Sequence, residues 1–392
     1  MTLKLLGGLK ILDLTRLLPG GYATQLLADL GAEVLKVEDL RQGDYIRKMG
    51  PEAADGASAY HYALNRNKKS IRLNLKHREG REILHRLIKD YDVLVEGFRP
   101  GVMEKLNLGY EVLKGFNPGL VYCSLSGYGQ DGPYRTRPGH DINYISLAGI
   151  LGLTGPHDGP PIVPAVQVAD IAGGGFPADV GILAALIERQ GTGRGQYIDV
   201  AMLDGVVSLM ALHLSAYLAD GRRPVRGKMR LSGGQVCYGV YRTKDYRFVS
   251  LGCVEIKFWE VFCRVSGRED LLDQQFSGDE KIFAAVQDFF STKTRDEIVE
   301  LFRDVDTCLE PVLDIDEVLS HPQVIHREMI LEVPLPGGKV VKTIGPPIKF
   351  PLADKEADTL PPALGQHTNE ILNLLGFDGA KIISLRERGV IA

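Results

Sequence analysis

The sequence contains little cysteine, a single tryptophan and no marked excess of charge of either sign. Its five cysteines are Cys123, Cys237, Cys253, Cys263 and Cys308. They are odd in number, widely spaced and form no CxxC pair, which predicts neither a disulfide framework nor a structural metal site. Lys plus Arg total 46 against 50 Asp plus Glu, giving a net charge of −4. This balance argues against a basic nucleic-acid-binding face, and we expect no nucleic-acid partner.

Long hydrophobic runs are also missing from the sequence. No uninterrupted apolar stretch reaches the roughly 18 residues that a membrane-spanning helix needs, and residues 1–12 do not follow the plan of a signal peptide. We therefore expect a soluble, cytoplasmic protein with no membrane partner. The chain has 392 residues, 44% of them apolar, which is enough for two or three domains with a large buried core.

Strand and helix patterns alternate along the first part of the chain. Residues 9–14 form an apolar run typical of a buried strand, a helical pattern then ends at Gly31, and 33–37 give the next strand. Further strands are expected at 70–75, 92–96 and 120–124. This order predicts an α/β fold with a parallel sheet covered on both faces.

A second structural unit is expected to begin near residue 221. There the charged segment 221–226 interrupts a helical pattern that extends to residue 218. Strands are expected at 238–242 and 248–253, followed by helices around 257–264, 280–290 and 295–302. The Pro- and Gly-rich stretch 334–351 then precedes a final helix at 369–375.

Residues 127–132 spell GxGxxG directly after an apolar strand. A dinucleotide-binding loop of this type must lead into a helix whose N-terminus meets the pyrophosphate. Here Pro133 and Pro138 follow within a segment that does not open a helix. We therefore interpret the motif as a flexible loop that can lie over a ligand, and not as an NAD or FAD site.

Five cations fall within residues 65–76, around a predicted strand. Apolar and polar side chains alternate there, as Ile71, Leu73 and Leu75 against Arg72, Asn74 and Lys76. The end of such a strand could present several cations to one phosphate-rich ligand. The alternative is a solvated, charged face.

Two titratable residues stand in settings typical of an active site. His140 lies at a loop-to-helix junction, where its imidazole could project into a cleft and titrate near neutrality. Asp170 lies between apolar residues, which predicts a raised pKa, and the glycines at 173–175 would let a substrate approach the backbone. The alternatives are a structural histidine and an aspartate that caps the following helix.

These segments resemble those of the family III CoA-transferase superfamily, and within it most closely the α-methylacyl-CoA racemases. The resemblance covers essentially the whole chain and is carried by residues 8–13, 27–34, 96–101, 127–133 and 193–196. His140 with residues 141–144, Asp170 before a glycine run, and Glu255 resemble the racemase branch. Transferases share the aspartate, which they use as a nucleophile, but generally lack the histidine. Ser232 and Ile256 depart from the racemase pattern, which usually has an aspartate and a proline there.

The resemblance implies a Rossmann-like large domain with a parallel sheet built from both chain ends, a small central α+β domain, and two subunits interlocked like chain links. On this basis we expect the large domain in 1–200, a linker helix in 201–224, the small domain in 225–305, and a return linker and the rest of the large domain in 306–392. The active site would lie between one subunit's large domain and the other's small domain. Glu255 would then face Asp170 across a subunit boundary.

The resemblance also implies the site residues. The catalytic residues would be His140, Asp170 and Glu255. The CoA-binding residues would be Asn67, Lys68, Leu73, Asn74, Leu75, Lys76, Gly97, Phe98, Arg99, Lys105, Gly139, Asp141, Asn143 and Tyr144. We expect no metal ion and no cofactor beyond the coenzyme A carried by an acyl-CoA substrate.

The expected reaction is racemisation at C2 of a 2-methylacyl-CoA by proton transfer through an enolate, with His140 and Asp170 on opposite faces. Backbone N–H groups near Asp170 and Gly173 are the expected enolate donors. The alternative is CoA transfer between carboxylic acids, with Asp170 forming an aspartyl-CoA thioester. A non-enzymatic acyl-CoA sensor or scaffold is a third class.

Overall fold

A computed structural model, which describes residues 2–392, contains a main sheet of six parallel strands. In chain order these are β1 (Lys10–Leu14), β2 (Glu33–Glu38), β3 (Lys68–Arg72), β4 (Val93–Glu96), β5 (Val121–Ser126) and β6 (Tyr197–Ala201). They pair in the order β3-β2-β1-β4-β5-β6. The order reverses between β1 and β4, which is the switch point of a Rossmann-like sheet. The predicted α/β fold with a parallel sheet is confirmed.

All six strands lie between Lys10 and Ala201, so the expectation that both chain ends contribute strands to the sheet is wrong. The C-terminal segment supplies helices instead, Thr368–Leu374 and Gly379–Glu387. Their buried side chains Ile371 and Leu385 join the same apolar core as Leu94 of β4. The C-terminal residues have apolar side chains at helical spacing, so they cover the sheet and do not extend it.

The third strand lies earlier than the predicted 70–75. It ends at Arg72 because the chain then turns toward the C-terminus, where the backbone N–H of Asn74 donates to the carbonyl of Val390 at 2.9 Å. The strand begins at Lys68, which pairs with Val34 of β2. This shift decides where the Lys68 side chain lies.

The chain divides into two compact units. Unit 1 comprises the described residues up to Ala148, together with Ala165–Met210 and Ile325–Ala392, and unit 2 comprises Gly149–Pro164 and Ala211–Val324. The remaining α-helices are Leu18–Asp29, Ala59–Asn65, Arg78–Leu87, Val102–Lys105, Tyr110–Leu113, Asp141–Leu147, Ile150–Leu153, Phe176–Thr192, Met202–Leu209, Ala211–Asp220, Ile256–Ser266, Glu280–Ser291, Arg295–Phe302, Ile315–Ser320 and Pro322–His326. Shorter 3-10 turns occur at Tyr45–Lys48, Ile88–Asp90, Glu269–Gln274 and Pro336–Gly338.

Unit 2 contains an antiparallel sheet with the strand order Leu309–Pro311, Phe248–Gly252, Tyr238–Arg242. Its core includes Trp259, Phe262 and Phe290. The unit extends beyond the predicted boundary at residue 305 because Leu309–Pro311 completes this sheet. Glu317 also binds Arg295 at 2.5 Å and Arg247 at 3.0 Å within the unit.

Two further pairs of strands lie in unit 1. Ile330–Pro334 and Val340–Ile344 form an antiparallel hairpin within the return segment. The two-residue strands Thr2–Leu3 and Lys355–Glu356 pair close to the N-terminus.

One helical stretch, Ala169–Thr192, is long and apolar enough to cross a membrane, with 24 residues and mean hydropathy 1.4 in its most apolar window. Met202–Leu209 and Ala211–Asp220 pass the same test only as a pair bent by 64°. The sequence shows no such run because Asp170 and Asp179 interrupt the first stretch. Core helices of soluble proteins meet the same criteria, so this is weak evidence for a membrane span.

Candidate active site

A cavity of about 340 Å³ opens in unit 1 at the carboxyl ends of the main-sheet strands. Residues 15–17, directly after β1, and 97–100, directly after β4, both line it. These strands flank the switch point, where the connecting loops diverge and leave a crevice for ligands. The predicted residues Gly97, Phe98 and Arg99 therefore lie where the topology creates a binding site.

A buried ion cluster holds the turn after β1. Asp13 accepts the backbone N–H of Thr15 at 2.9 Å, and the ammonium groups of Lys36 and Lys68 lie 3.5 and 3.3 Å from its other carboxylate oxygen. Burial opposes ionisation of Asp13, but the two positive charges, together with hydrogen bonds from Thr15 and Thr24, outweigh burial and hold its pKa well below the usual value. The ammonium of Lys68 is fully buried against this carboxylate, and Lys68 does not line the cavity; the expectation that it contacts CoA stays a prediction.

Leu17, which lines the cavity at the end of the turn after β1, has a strained backbone. Its φ is +62°, which is left-handed and unfavourable for a leucine. The Leu17 N–H donates to Asp44 at 3.0 Å, and Asp44 is itself paired with Lys36 at 3.0 Å. Strain of this kind persists where surrounding contacts fix the backbone, and it often marks functional sites.

The structure places His140 as predicted, at the end of the loop after β5 and directly before the helix Asp141–Leu147. Its backbone N–H donates to the side-chain oxygen of Asn143 at 3.0 Å, and the residue is exposed at the cavity. Tyr144 packs behind the loop, and a Cβ on Gly139 would lie 2.7 Å from its ring. Glycine is therefore needed at position 139, next to the imidazole.

Asp170 is the second residue of a π-helix, Ala169–Gly175, that continues into Phe176–Thr192. Single π-turns of this kind often occur at functional sites. One carboxylate oxygen of Asp141 accepts the backbone N–H groups of Ala169 at 2.5 Å and of Asp170 at 3.1 Å. The alternative in which Asp170 caps the following helix is contradicted, because Asp170 lies inside the helical segment. The N–H of Asp170 donates to Asp141 and is therefore not free to donate to an enolate; the expectation of other backbone donors near Asp170 and Gly173 stays a prediction.

The environment of Asp170 raises the pKa of its side chain to about 6. Burial is the largest cause, the charge of Asp141 raises the pKa further, and His140 lowers it. A carboxyl group with this pKa exchanges protons readily near neutral pH. His140 and Asp170 thus line one cavity and interact electrostatically.

Close glycine packing fixes the π-helix against the helix Met202–Leu209. A Cβ on Gly205 would overlap the carbonyl oxygen of Gly173, and a Cβ on Gly173 would lie 2.8 Å from the carbonyl oxygen of Met202. Neither position has space for a side chain. The backbone beneath Asp170 is therefore held rigidly from one side.

Four guanidinium groups line the cavity: Arg16, Arg99, Arg135 and Arg137. Arg16 pairs with Asp39 at 3.1 Å, and Arg137 stacks 3.8 Å over the ring of Tyr134. Among residues 2–392, Arg99 and Arg135 have no ion-pair partner, so the cavity carries excess positive charge. The sequence analysis missed Arg16, Arg135 and Arg137. The sequence did contain a signal for them: Arg16 directly follows a predicted strand, and Arg135 and Arg137 follow the GxGxxG segment.

Several predicted CoA-binding residues lie outside this cavity. Leu73 packs in the main core, and Asn67 donates to Asp29 at 3.2 Å. The side chain of Asn74 donates to the carbonyl of Gly389 at 3.0 Å. The others that do not line it are Leu75, Lys76, Lys105, Asp141 and Asn143, of which Lys76, Lys105 and Asn143 are exposed.

Glu255 lies in unit 2, directly before the helix Ile256–Ser266, and is exposed. The thiol of Cys308 is near it: burial raises the pKa of this thiol, and the charge of Glu255 raises it further. The expectation that Glu255 faces Asp170 of another subunit stays a prediction.

Comparisons with known proteins agree with the resemblance seen in the sequence. The model of CoA-transferase family III matches residues 6–368. The chain is 38% identical to an acyl-CoA transferase of Fusarium pseudograminearum over 98% of its own length and 88% of that protein's. It is 36% identical to the human alpha-methylacyl-CoA racemase over 98% and 97% of the two chains. A CAIB/BAIF family protein from Brucella suis has a similar structure, with TM-score 0.82, 32% identity, and coverage of 94% and 99%.

Proposed function

Because the chain belongs to CoA-transferase family III, we propose that it is an isomerase that racemises C2 of a 2-methylacyl-CoA. The observation that carries this proposal is the presence of both His140 and Asp170 at one cavity. Racemisation needs two proton-exchanging groups at the same carbon. CoA transfer needs only the aspartate.

The proposed mechanism follows from the weak acidity of the proton next to the thioester. His140, neutral, removes this proton from one face, and the pair of electrons moves to the thioester oxygen to give an enolate. Asp170, protonated, returns a proton to the opposite face of the same carbon. For the other enantiomer the two groups exchange roles. The raised pKa of Asp170, about 6, supports its use as both acid and base.

The excess positive charge supports binding of the CoA moiety in this cavity. The phosphates of CoA are anionic, and arginine side chains form strong charge-assisted bonds to phosphate. Arg99 follows β4 at the switch point, and Arg135 stands on the loop that ends at His140. We assign these two side chains to the phosphates, with the thioester directed toward His140 and Asp170.

We further propose that the enzyme is an interlocked homodimer in which Glu255 of one subunit approaches Asp170 of the other. Solvent-exposed apolar side chains support the presence of a subunit interface. On the helix Ala211–Asp220, Leu212 is 74% exposed and Leu218 is 81% exposed. Isolated subunits would leave these leucines in water.

The second candidate is CoA transfer between carboxylic acids, and the acyl-CoA transferase relative favours it. Asp170, ionised, would attack the thioester carbonyl and release CoA thiolate, leaving a mixed anhydride. The thiolate would then attack the aspartyl carbonyl, forming an aspartyl-CoA thioester and releasing the first carboxylate. The acceptor acid would regenerate Asp170 by the reverse sequence.

Incubation of one enantiomer of a 2-methylacyl-CoA in deuterated water tests the proposal. Racemisation predicts that deuterium enters C2 while the other enantiomer accumulates, without any acceptor acid. Thioester exchange that requires an added carboxylic acid, with no deuterium at C2, would instead establish the transferase. Tight binding of the acyl-CoA without either reaction would instead indicate a non-enzymatic acyl-CoA sensor or scaffold.

A further inference from the structure

The return segment of unit 1 contains a second cavity, of about 210 Å³, that shares no residue with the cavity around His140 and Asp170. We propose that this cavity binds a small anionic ligand, a carboxylate or phosphate group carried on a short apolar chain. The inference does not depend on the reaction proposed above.

The base of the hairpin builds the cavity. Glu328 has a left-handed backbone with φ +50°, and the N–H of Gly345 donates to the carbonyl of Met329 at 2.8 Å. A Cβ on Gly345 would overlap the carbonyl oxygen of Glu328, so only glycine permits this close approach. Residues 326–328 and 346–351 are brought together in this way as two walls of the cavity.

Three cationic side chains line the cavity: Arg327, Lys349 and Lys355. Within residues 2–392, none of them forms an ion pair with a carboxylate. In the described part of the chain, the ammonium of Lys349 has one hydrogen-bond partner, the backbone carbonyl of Glu328, at the long distance of 3.5 Å. The carboxyl group of Glu328 is the single acidic side chain in the lining, so the charges do not balance.

Both burial and neighbouring charges affect Lys349. Burial is the largest cause and lowers the pKa of its ammonium; Glu328 raises this pKa, Arg327 and Lys355 lower it, and Asp29 raises it. Like charges held close together in a partly desolvated site repel one another. A bound anion removes this repulsion and gains charge-assisted hydrogen bonds.

Apart from His326, the remaining lining is apolar, which defines the other part of the ligand. Leu3 is buried, whereas Ile348 and Phe350, which also line the cavity, are 47% and 39% exposed. A free inorganic ion would leave this surface in water. The volume is below the roughly 300–1,000 Å³ of drug-sized sites, so a chain of a few carbons suits it better than a whole nucleotide.

Isothermal titration calorimetry with hexanoate, hexyl phosphate and hexan-1-ol tests the proposal. We expect at least one of the two anions to bind and hexan-1-ol not to bind. Lys349→Ala and Arg327→Ala should each lower the affinity for the anion by about tenfold or more, because each removes a charge-assisted bond. Comparison of hexanoate with hexyl phosphate identifies which head group the cavity takes.

Lys342→Ala is the matched control. Lys342 lies on the same hairpin and pairs with Glu332 at 3.3 Å, but it does not line the cavity. Its loss should leave the affinity unchanged. If Lys349→Ala does not fold, Lys349→Gln removes the charge at nearly constant size. Equal affinities in wild type and both cavity variants, equal binding of hexan-1-ol, or no binding of either anion would overturn the proposal.

Discussion

The carboxylate of Asp141 accepts the backbone N–H of Asp170 at 3.1 Å, and its charge raises the pKa of the Asp170 side chain. One residue thus fixes the position of the proposed acid and also favours its protonated form. The hydrogen bond joins the helix that follows His140 to the π-helix. The two proposed proton carriers are therefore attached to one another through Asp141.

Asp141→Asn separates these two effects. The amide oxygen of asparagine can still accept the N–H groups, but the negative charge is lost. The pKa of Asp170 should fall from about 6 toward the ordinary value of an aspartate. In the reaction direction in which Asp170 acts as the acid, activity falls as the pH rises through the pKa of Asp170. This alkaline limb of the pH–rate profile should therefore move to lower pH in Asp141→Asn.

Asp158→Asn serves as the control for this change, because it removes one negative charge from an exposed side chain in unit 2. Its pH–rate profile should match that of the wild type. Asp141→Ala should lose activity over the whole pH range, since both hydrogen bonds disappear. An unshifted profile in Asp141→Asn would contradict the electrostatic effect of Asp141.

His140→Ala and Asp170→Ala should each abolish racemisation, because every turnover needs one group to accept and one to donate a proton. A general acid or base contributes about 10²–10⁴ in rate, and the double variant should be little worse than either single variant. Chiral analysis of the product measures this loss. A transferase would show a different result, with Asp170→Ala inactive, His140→Ala still turning over, and a CoA adduct on Asp170 detectable by mass spectrometry.

Arg99→Ala should weaken CoA binding by about 10- to 100-fold while the fold persists, because one charge-assisted phosphate contact is lost. Titration calorimetry measures the affinity, and circular dichroism checks the fold. Lys114→Ala is a suitable control, since Lys114 pairs with Glu111 at 2.5 Å outside the cavity. Lys76→Ala tests the sequence-based prediction in the same assay. Unchanged affinity in both Arg99→Ala and Lys76→Ala would show that the nucleotide part of CoA binds at another site.

Gly205→Ala should destabilise the protein by about 1–3 kcal/mol, because its Cβ would overlap the carbonyl oxygen of Gly173. Any shift of the π-helix that relieves the overlap should also reduce activity. Gly191→Ala is the matched control: it lies in the helix Phe176–Thr192, and its Cβ would meet nothing within 4 Å. Chemical denaturation should show Gly191→Ala at least as stable as wild type. Equal stability of both variants would disprove the tight packing.

The proposed dimer should dissociate only when the subunits unfold, because interlocked chains cannot separate while folded. Light scattering combined with size-exclusion chromatography should give twice the chain mass of 43.0 kDa at micromolar concentration. A folded monomer of 43.0 kDa would contradict the proposal. So would dissociation on dilution without loss of structure.

The sequence by itself was sufficient to predict a parallel sheet, five of its six strands, and the loop-to-helix junction at His140; it did not predict β6 or the π-helix that holds Asp170. The strands β1, β4 and β5 are apolar runs between turn-forming residues, and this local signal does not depend on distant parts of the chain. The junction before His140 and the apolar neighbours of Asp170 are likewise visible within a few residues. The family motifs added the expected chemistry.

Only the tertiary structure decided which side chains meet. Lys68 is a cation in a polar run, yet it lies in the core because Asp13, 55 residues away, offers it a buried carboxylate. Asp141 contacts the backbone of Asp170 because the helix after His140 packs on the π-helix. Local periodicity records which face of an element is buried, whereas the partner on that face depends on how remote elements pack.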